Sequence, residues 1–492
     1  MATRSSTFGE VIPQAPLPPR TEDANRWEHT RLRERLMAGT WRADLELALD
    51  RHMGRSRSHG AGPPDMSSNI LRSVSVQLAV LYDRPPTVSH ALEAAAPLIG
   101  DGGELRTAGL WQLMGGLQRD TIAFNEDLLG ISVSASGAPQ FVPVSPGMVI
   151  AESEPDAPDV PVAIRWLRLR RHPRSGQLAW TWEIWDPRVP VFRIVSADGQ
   201  EERDLTSVYV TDSDGAPVAG PLEGEDYPWW WTEDERRPLL PFVLYHSSRS
   251  PHLWRPFEGI EVVEGTLSAA VGWSFWFHCL RDASWPQRVA VNCRPVGSAI
   301  EETDDSPREG IVTDPSTVML LESDEETPGQ PMVTQWQASS DPKLLGECLL
   351  QYETRIAEFA GISPSDIQRM GGTAKSGYAI SISQAGKREA QRRYEPQFRR
   401  GDLEAVAKVA AMVNTATGST YPESGYEIVY AAVPKSPQEL EAERKHVLEL
   451  LEAGLIDRAQ ALQTLNPGIS RDEALRRLDT IRRVNLSTTS AA

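Results

Sequence analysis

The spacing of hydrophobic positions divides the chain into stretches of helical and extended character. Near the start, apolar residues recur at helical spacing, and we expect helices at 27–53, 68–81 and 104–129. From about residue 131 to residue 243 the apolar period becomes two, which predicts an antiparallel β meander. Within it, Trp180, Trp182 and Ile184 belong to one predicted strand and share one face.

The second half of the sequence predicts three long helices around a small β segment. The helices span about 256–281, 341–361 and 377–413, and residues 286–340 have strand and loop character. Asp341 and Pro342 suit an N-cap and a first helical residue, and Gly361 suits the position after the helix. Pro396 should kink the third helix. Two capping boxes then predict a helical C-terminal region.

Length and charge narrow the class of protein. The chain has 492 residues, enough for about three domains, and a net charge of −18. This acidity argues against a protein held on nucleic acid by bulk positive charge, and against a polybasic membrane binder. The apolar run at 265–280 is shorter than the roughly 20 residues of a membrane span. The first twenty residues are Pro-rich and show no signal-peptide pattern, so we expect a protein that does not bind membranes.

The motifs of common enzymes and metal sites are absent from the sequence. The string at 371–376 lacks the Gly before Lys that a phosphate-binding loop needs, and it follows a helix rather than a strand. HExxH, GxSxG and Cys-x-x-Cys do not occur. The three cysteines, Cys279, Cys293 and Cys348, are scattered and suit a reducing cytoplasm. We therefore expect no catalytic residue, no metal and no cofactor.

Tryptophan is the unusual feature of the composition, with 15 residues. Trp182 and Trp185 flank Glu183 on a predicted strand, and residues 229–231 are three consecutive tryptophans in an acidic loop. Aromatic rings beside carboxylates could stack sugars and support glycoside chemistry, which makes a carbohydrate-active or glycan-binding protein the alternative function. A packed β core with a subunit contact is the preferred interpretation, because no carboxylate spacing is specific.

Two charged segments are notable. Residues 299–326 contain ten acids and one arginine. Residues 387–400 contain six cations against two acids; the cations are Lys387, Arg388, Arg392, Arg393, Arg399 and Arg400. In so acidic a chain we prefer a salt-bridged helix, packed on acidic neighbours in the same or an adjacent chain, over direct contact with phosphate.

The order of these parts resembles the portal proteins of tailed double-stranded-DNA bacteriophages. The central string is a long helix, a small β module, a second long helix, a Gly-bearing loop and a Pro-containing third helix that carries SGYAISISQAGKREAQRRYEPQFRRGD at 376–402. Further similar stretches are SSNILRSVSVQLAVLYDRPPTV at 67–88, GISPSDI at 361–367 and the tail at 435–478. The resemblance covers most of the chain. The acidity of the β module and the Trp-rich region depart from the family pattern.

The resemblance implies an α+β fold with the portal architecture. The parts would be a flexible arm at 1–22, a wing at 23–255, a first stem helix at 256–285, a clip at 286–340, a second stem helix at 341–361, a tunnel loop at 362–376, the kinked long helix of the wing at 377–430 and a helical crown at 431–492. Such a protein is structural rather than enzymatic. It forms a ring, here a dodecamer, at one capsid vertex of the virion and is made in the host cytoplasm.

The same resemblance assigns roles to residues and partners. The DNA-channel residues would be Arg369, Met370, Gly371, Gly372, Thr373, Ala374 and Lys375. The acids that dock the head–tail adaptor or terminase would be Glu301, Glu302, Asp304, Asp305, Glu325 and Glu326. Subunit packing would use Trp273, Trp276, Phe277, Arg388, Arg392 and Arg393. The partners would be further copies of the chain, double-stranded DNA during genome packaging and ejection, the terminase large subunit, the head–tail adaptor, the major capsid protein and a scaffold.

Overall fold

The computed structural model describes most of the chain. The described residues are 4–5, 11–12, 15–16, 18, 20–53, 64–100, 102–134, 136–173, 175–197, 203–209, 227–234, 236–284, 287–291, 293–295, 321–323, 332–336, 341–362, 377–433, 437–466, 471 and 473–480.

Helices and antiparallel sheets alternate along the chain in blocks. The helices are α1 (Thr21–Ala38), α2 (Arg42–Met53), α3 (Ile70–Leu78), α4 (Ala96–Ile99), α5 (Glu104–Thr107), α6 (Leu110–Phe124), α7 (Ile260–Ser284), α8 (Pro342–Phe359), α9 (Gly377–Thr417), α10 (Pro437–Glu452) and α11 (Arg458–Leu465). Residues 473–480 are also helical. The strands are β1 (Arg4–Ser5), β2 (Val11–Ile12), β3 (Thr87–Ser89), β4 (Glu126–Val133), β5 (Pro139–Val144), β6 (Val149–Glu154), β7 (Ala157–Arg171), β8 (Leu178–Asp186), β9 (Val191–Ser196), β10 (Phe242–His246), β11 (Gln287–Val291), β12 (Cys293–Pro295), β13 (Leu321–Ser323), β14 (Met332–Trp336) and β15 (Glu427–Val429). The predicted α+β class is confirmed.

The chain divides into two compact units. The first contains Met1–Pro18, Val76–Arg255 and Ile362–Ala492, and the second contains Pro19–Ser75 and Pro256–Gly361. The first unit therefore holds the large sheets and α9, and the second holds the α7–α8 pair with the short strands inserted between them. The predicted portal domains stay a prediction.

The second unit is built on two antiparallel helix partners and an inserted β module. β11 pairs with β14 and β12 pairs with β13, all antiparallel, and all four lie between α7 and α8 in sequence. The Asp341 carboxylate accepts a hydrogen bond of 2.8 Å from the backbone N–H of Lys343, so the predicted N-cap of α8 is confirmed. α7 begins at Ile260 rather than at Pro256, because Gly259 in the left-handed region (φ +67°) breaks the helical path before it.

The segment that was predicted as one β meander forms two sheets of the first unit. β6, β7, β8 and β9 form a four-stranded antiparallel meander in sequence order, and β4 joins β10 and β5 in a separate three-stranded sheet. Residues 125–129 were predicted as the end of a helix, and this prediction is wrong. Asn125 adopts a φ of +76°, which ends α6, and the buried apolar strand β4 follows at once.

The long helix α9 lies in the core of the first unit. It runs as one helix of 41 residues with Pro396 inside it. Val406 and the continuous run from Val409 to Val413 are at most 1% exposed. Because these residues cover more than one side of the helix, this stretch of α9 is enclosed by its neighbours rather than packed along a single stripe.

Candidate functional site

The α7–α8 pair of the second unit is held together by glycines. A Cβ placed on Gly265 would lie 2.9 Å from Cδ1 of Ile356, and one on Gly272 would come still closer to Leu349. On the other helix, Gly346 lies under the indole of Trp276, with 3.2 Å between its ideal Cβ position and Nε1. Small residues let two helix backbones approach closely, so this contact depends on the absence of side chains at these positions.

Indole hydrogen bonds fix the same two helices. Trp273 Nε1 donates to Glu353 Oε1 at 2.6 Å, and Trp276 Nε1 donates to the carbonyl of Pro342 at 2.7 Å. The two indole rings meet edge to face at 5.3 Å. Ser68 also donates its hydroxyl to Glu353. Trp273 and Trp276, predicted for subunit packing, thus have their N–H groups satisfied within the chain.

The outer side of this helical hairpin carries apolar side chains that nothing in the described residues covers. All 18 residues of α8 are described, and only Ala357 among them is buried. Phe359 is 68% exposed and Leu344 is 59% exposed. On α7, Phe277 is 52% exposed. Apolar side chains exposed this densely on two adjacent helices are typical of an interaction surface. We call Phe277, Leu344 and Phe359 the hairpin surface.

Three of the six cations of the basic cluster on α9 pair with acids of the same chain. Lys387 lies 3.6 Å from Asp83, Arg400 lies 3.1 Å from Asp159, and Arg399 pairs with Glu395. These three contacts agree with the preferred interpretation of a salt-bridged helix.

The three arginines predicted for subunit packing differ in their surroundings. The Arg393 guanidinium lies 5.5 Å from the ring centroid of Tyr394, and Arg392 is exposed. Arg388 is half-buried and engaged within the chain. Their assignment to a subunit contact stays a prediction.

A buried carboxylate that the sequence analysis missed lies in the middle of α9. Asp402 accepts hydrogen bonds from three tyrosine hydroxyls: Tyr82 at 2.7 Å, Tyr430 at 2.6 Å and Tyr245 at 3.1 Å. Burial raises the pKa of Asp402 to about 6, although the three tyrosine hydrogen bonds oppose that shift. Burial, followed by the charge of Asp402, raises the pKa of Tyr82 and of Tyr245 well above the ordinary value. Tyr82, Tyr245 and Tyr430 come from distant parts of the sequence, so no local pattern could reveal this cluster.

The tryptophans of the first unit are divided between its core and its surface. Trp185 and Trp229 are buried, and Trp185 packs edge to face on Tyr227 at 6.0 Å. Trp180 and Trp182 lie on the opposite face of β8 and are half-buried. Glu183, the carboxylate nearest to these rings in sequence, is buried and paired with Arg168 and Arg170. An ion-paired, buried carboxylate is poorly placed for acid–base chemistry on a sugar, so the structure does not favour the carbohydrate alternative.

Two groups of predicted site residues lie outside the described residues. These are the predicted tunnel loop from Arg369 to Lys375 and the predicted docking acids Glu301, Glu302, Asp304, Asp305, Glu325 and Glu326. Within the described ranges, no group of three His, Cys, Asp or Glu side chains could hold a metal ion. None of the described helices combines the length and apolar character that crossing a bilayer requires.

Comparison with solved structures finds chains of similar fold. No protein-family model and no curated protein matches this chain. The fold is similar to a solved structure described as the neck of a native GTA particle computed with C12 symmetry, with a TM-score of 0.37 and 14% sequence identity. The match covers 82% of this chain and 91% of that one.

Proposed function

We propose that this chain is a structural, non-enzymatic subunit of a portal ring of a tailed phage. The observation that carries the proposal is the hairpin surface: two long helices, locked to each other by glycines and indoles, present Phe277, Leu344 and Phe359 to the outside. A surface of this kind needs a partner, and a ring of identical subunits supplies one to every copy. The order of helix, β module, helix, loop and long helix supports the same assignment.

The finer parts of the proposal follow the portal resemblance. Copies of the chain, twelve in the family, would surround a channel for DNA packaging and ejection at one capsid vertex. The loop at 362–376 would face the DNA, and the module at 286–340 would dock terminase and then the head–tail adaptor. A net charge of −18 per subunit is compatible with this role, because a channel that bound the polyanion tightly would hold it in place.

The experiment that tests the proposal is electron-microscope class averaging of the purified protein, with its mass in solution measured in parallel. We expect closed rings with a central hole, near twelve copies, and no ATP hydrolysis by the protein alone. A stable monomer across protein concentrations and salt conditions would contradict the ring. ATP hydrolysis that copurifies with the protein through every separation would contradict the non-enzymatic assignment.

A further inference from the structure

The α7–α8 hairpin is covered by its own chain on one side. Residues 65–71 lie along that side, and their first and last backbone N–H groups donate to Ser274 Oγ at 2.9 Å and to Thr266 Oγ1 at 3.1 Å. On the same side, Glu353 of α8 accepts the hydroxyl hydrogen bond of Ser68. We call this the covered side of the hairpin.

The opposite side, which we call the open side, carries exposed residues of both helices. At 3.6 residues per turn, one row of α8 side chains points to it. The row consists of the exposed residues Leu344, Cys348, Tyr352, Arg355 and Phe359. On α7, Glu261, Glu264 and Ser268 are turned away from Thr266 and are exposed. Within the described residues, neither Glu261 nor Glu264 is joined to a cation. The open side therefore combines a mostly apolar row with a pair of free carboxylates.

The covered side presents a cation at the level of these carboxylates. Arg72 follows the residue whose N–H donates to Thr266, so it lies within one turn of α7 from Glu264. Arg72 is exposed, and no carboxylate of the described residues pairs with its guanidinium. Unpaired charges of opposite sign therefore lie at the same level on the two sides of the hairpin.

The covered side also presents apolar groups at the other end of the hairpin. Phe277 follows Trp273 by one helical turn, and Leu350 precedes Glu353 by about one turn, so both lie on the side where the indole of Trp273 bonds to Glu353. Phe277 is 52% exposed and Leu350 is 54% exposed. Because the end of α7 lies beside the start of α8, Phe277 is level with Leu344 of the open side.

The two sides of the hairpin thus match each other along its length. Acids of the open side are level with a cation of the covered side, and apolar side chains are level with apolar side chains. Matching between two different sides of one molecule suits a head-to-tail contact, in which one side of each copy meets the other side of the next. A two-fold contact between two open sides would leave Arg72 and Phe277 without a role.

We propose that the open side of the hairpin packs on the covered side of the next copy of this chain. In this contact Glu261 and Glu264 face Arg72, and the α8 row faces the apolar groups of the covered side. The inference rests on the proposed ring and names the two surfaces that meet in it. Head-to-tail contacts of this kind close into rings when the rotation between copies allows it.

Charge reversal of either side tests the contact. The open-side variant is Glu261→Arg combined with Glu264→Arg, and the covered-side variant is Arg72→Glu. Each should raise the protein concentration at which half of the assembly dissociates by at least roughly tenfold, because like charges then face each other. Arg84→Glu is the matched control for Arg72→Glu, since it reverses an exposed arginine of the other unit. Circular dichroism checks that each variant is folded.

Mixing the two defective variants gives the sharper test. In an equimolar mixture, the reversed open side of one variant meets the reversed covered side of the other, and their unmodified sides also match. We expect the mixture to assemble almost as the unmodified protein does. The open-side variant mixed with Arg84→Glu should stay dissociated.

The outcomes separate this contact from the ring itself. Normal assembly of Arg72→Glu, or no recovery when the two folded variants are mixed, would overturn the contact between open and covered sides. Rings of the unmodified protein in the same experiment would leave the proposed function intact. Monomers of the unmodified protein at all concentrations would overturn the ring and this contact together.

Discussion

The helices α8 and α9 bury their apolar residues to very different extents. On α9 the continuous run from Val409 to Val413 is buried, and so is the carboxyl group of Asp402. α8 buries only Ala357 and leaves Leu344 and Phe359 more than half exposed. Among the described residues, α9 therefore has a buried apolar stretch in the core of its unit, whereas α8 leaves an apolar surface uncovered. This contrast is the basis of the proposal that α8 is part of a contact with another copy of the chain.

The largest effect is expected from a charge placed on the hairpin surface. Phe359→Glu removes an exposed aromatic and adds a carboxylate that a subunit contact would have to desolvate. We expect the concentration for half-assembly to rise by roughly 10- to 100-fold, at about 1.4 kcal/mol per tenfold, with the fold of the monomer unchanged. Analytical ultracentrifugation measures the first quantity, and circular dichroism checks the second.

The control for this variant lies on the same helix. Gln351→Glu adds the same charge at an exposed position and removes no apolar group. It should assemble almost as the unmodified protein does. If Phe359→Glu also assembled normally, the hairpin surface would not be a subunit contact, and the contrast between α8 and α9 would lose its functional meaning.

The second prediction concerns the titration of the buried carboxyl group of Asp402 on α9. With a pKa of about 6 in the folded protein, Asp402 binds a proton more tightly than it does in the unfolded chain, where the pKa is about 3.9. Its contribution to the free energy of unfolding is therefore fully present below about pH 4 and is lost as pH rises through about 6. The loss is of the order of 3 kcal/mol. Denaturant unfolding at a series of pH values, with Asp402→Asn as the reference that lacks this titration, measures it.

Substitution of single tyrosines tests whether their hydroxyl groups set the pKa of Asp402. Tyr430→Phe removes a hydroxyl that stabilises the ionised carboxylate, so the pKa of Asp402 should rise and the pH window should move upward. Tyr426→Phe is the control, because its hydroxyl donates to the carbonyl of Pro422 rather than to Asp402. A pH profile that is identical in the unmodified protein and in Asp402→Asn would contradict the elevated pKa.

The smallest expected effect comes from two helical glycines. In Gly272→Ala the new methyl group would collide with Leu349, and overpacking of this kind costs about 1–3 kcal/mol, less a gain in helix propensity of up to about 1 kcal/mol. Gly116→Ala on α6 meets nothing within 4 Å and should stabilise by about 0.5–1 kcal/mol. Opposite shifts of the two unfolding midpoints are expected. Stabilisation by Gly272→Ala of the size expected for Gly116→Ala would show that α7 and α8 are not locked by close approach.

Local signals along the sequence were sufficient for much of the fold. Asp341 and Pro342 predicted the start of α8 to the residue, because an N-cap carboxylate acts on the backbone two positions away. The period of two predicted β7 and β8, with Trp180, Trp182 and Ile184 on one face. The end of α6 was missed, because apolar periodicity does not reveal the positive φ of Asn125 that starts β4. The split of the meander into two sheets was missed because strand pairing joins β4 to β10, more than a hundred residues away.

By itself the sequence determined the class of fold, the long helices, the paired strands and the general acidity, since these depend on spacing and composition. Tertiary structure alone decided which apolar residues are covered. It buried Trp185 and Trp229, left Phe359 exposed, and brought Tyr82, Tyr245 and Tyr430 together on Asp402. The reason is physical: a helix or strand has a period that a short segment can encode, whereas burial and the pKa of a carboxylate depend on residues that are distant in the chain and adjacent only after folding.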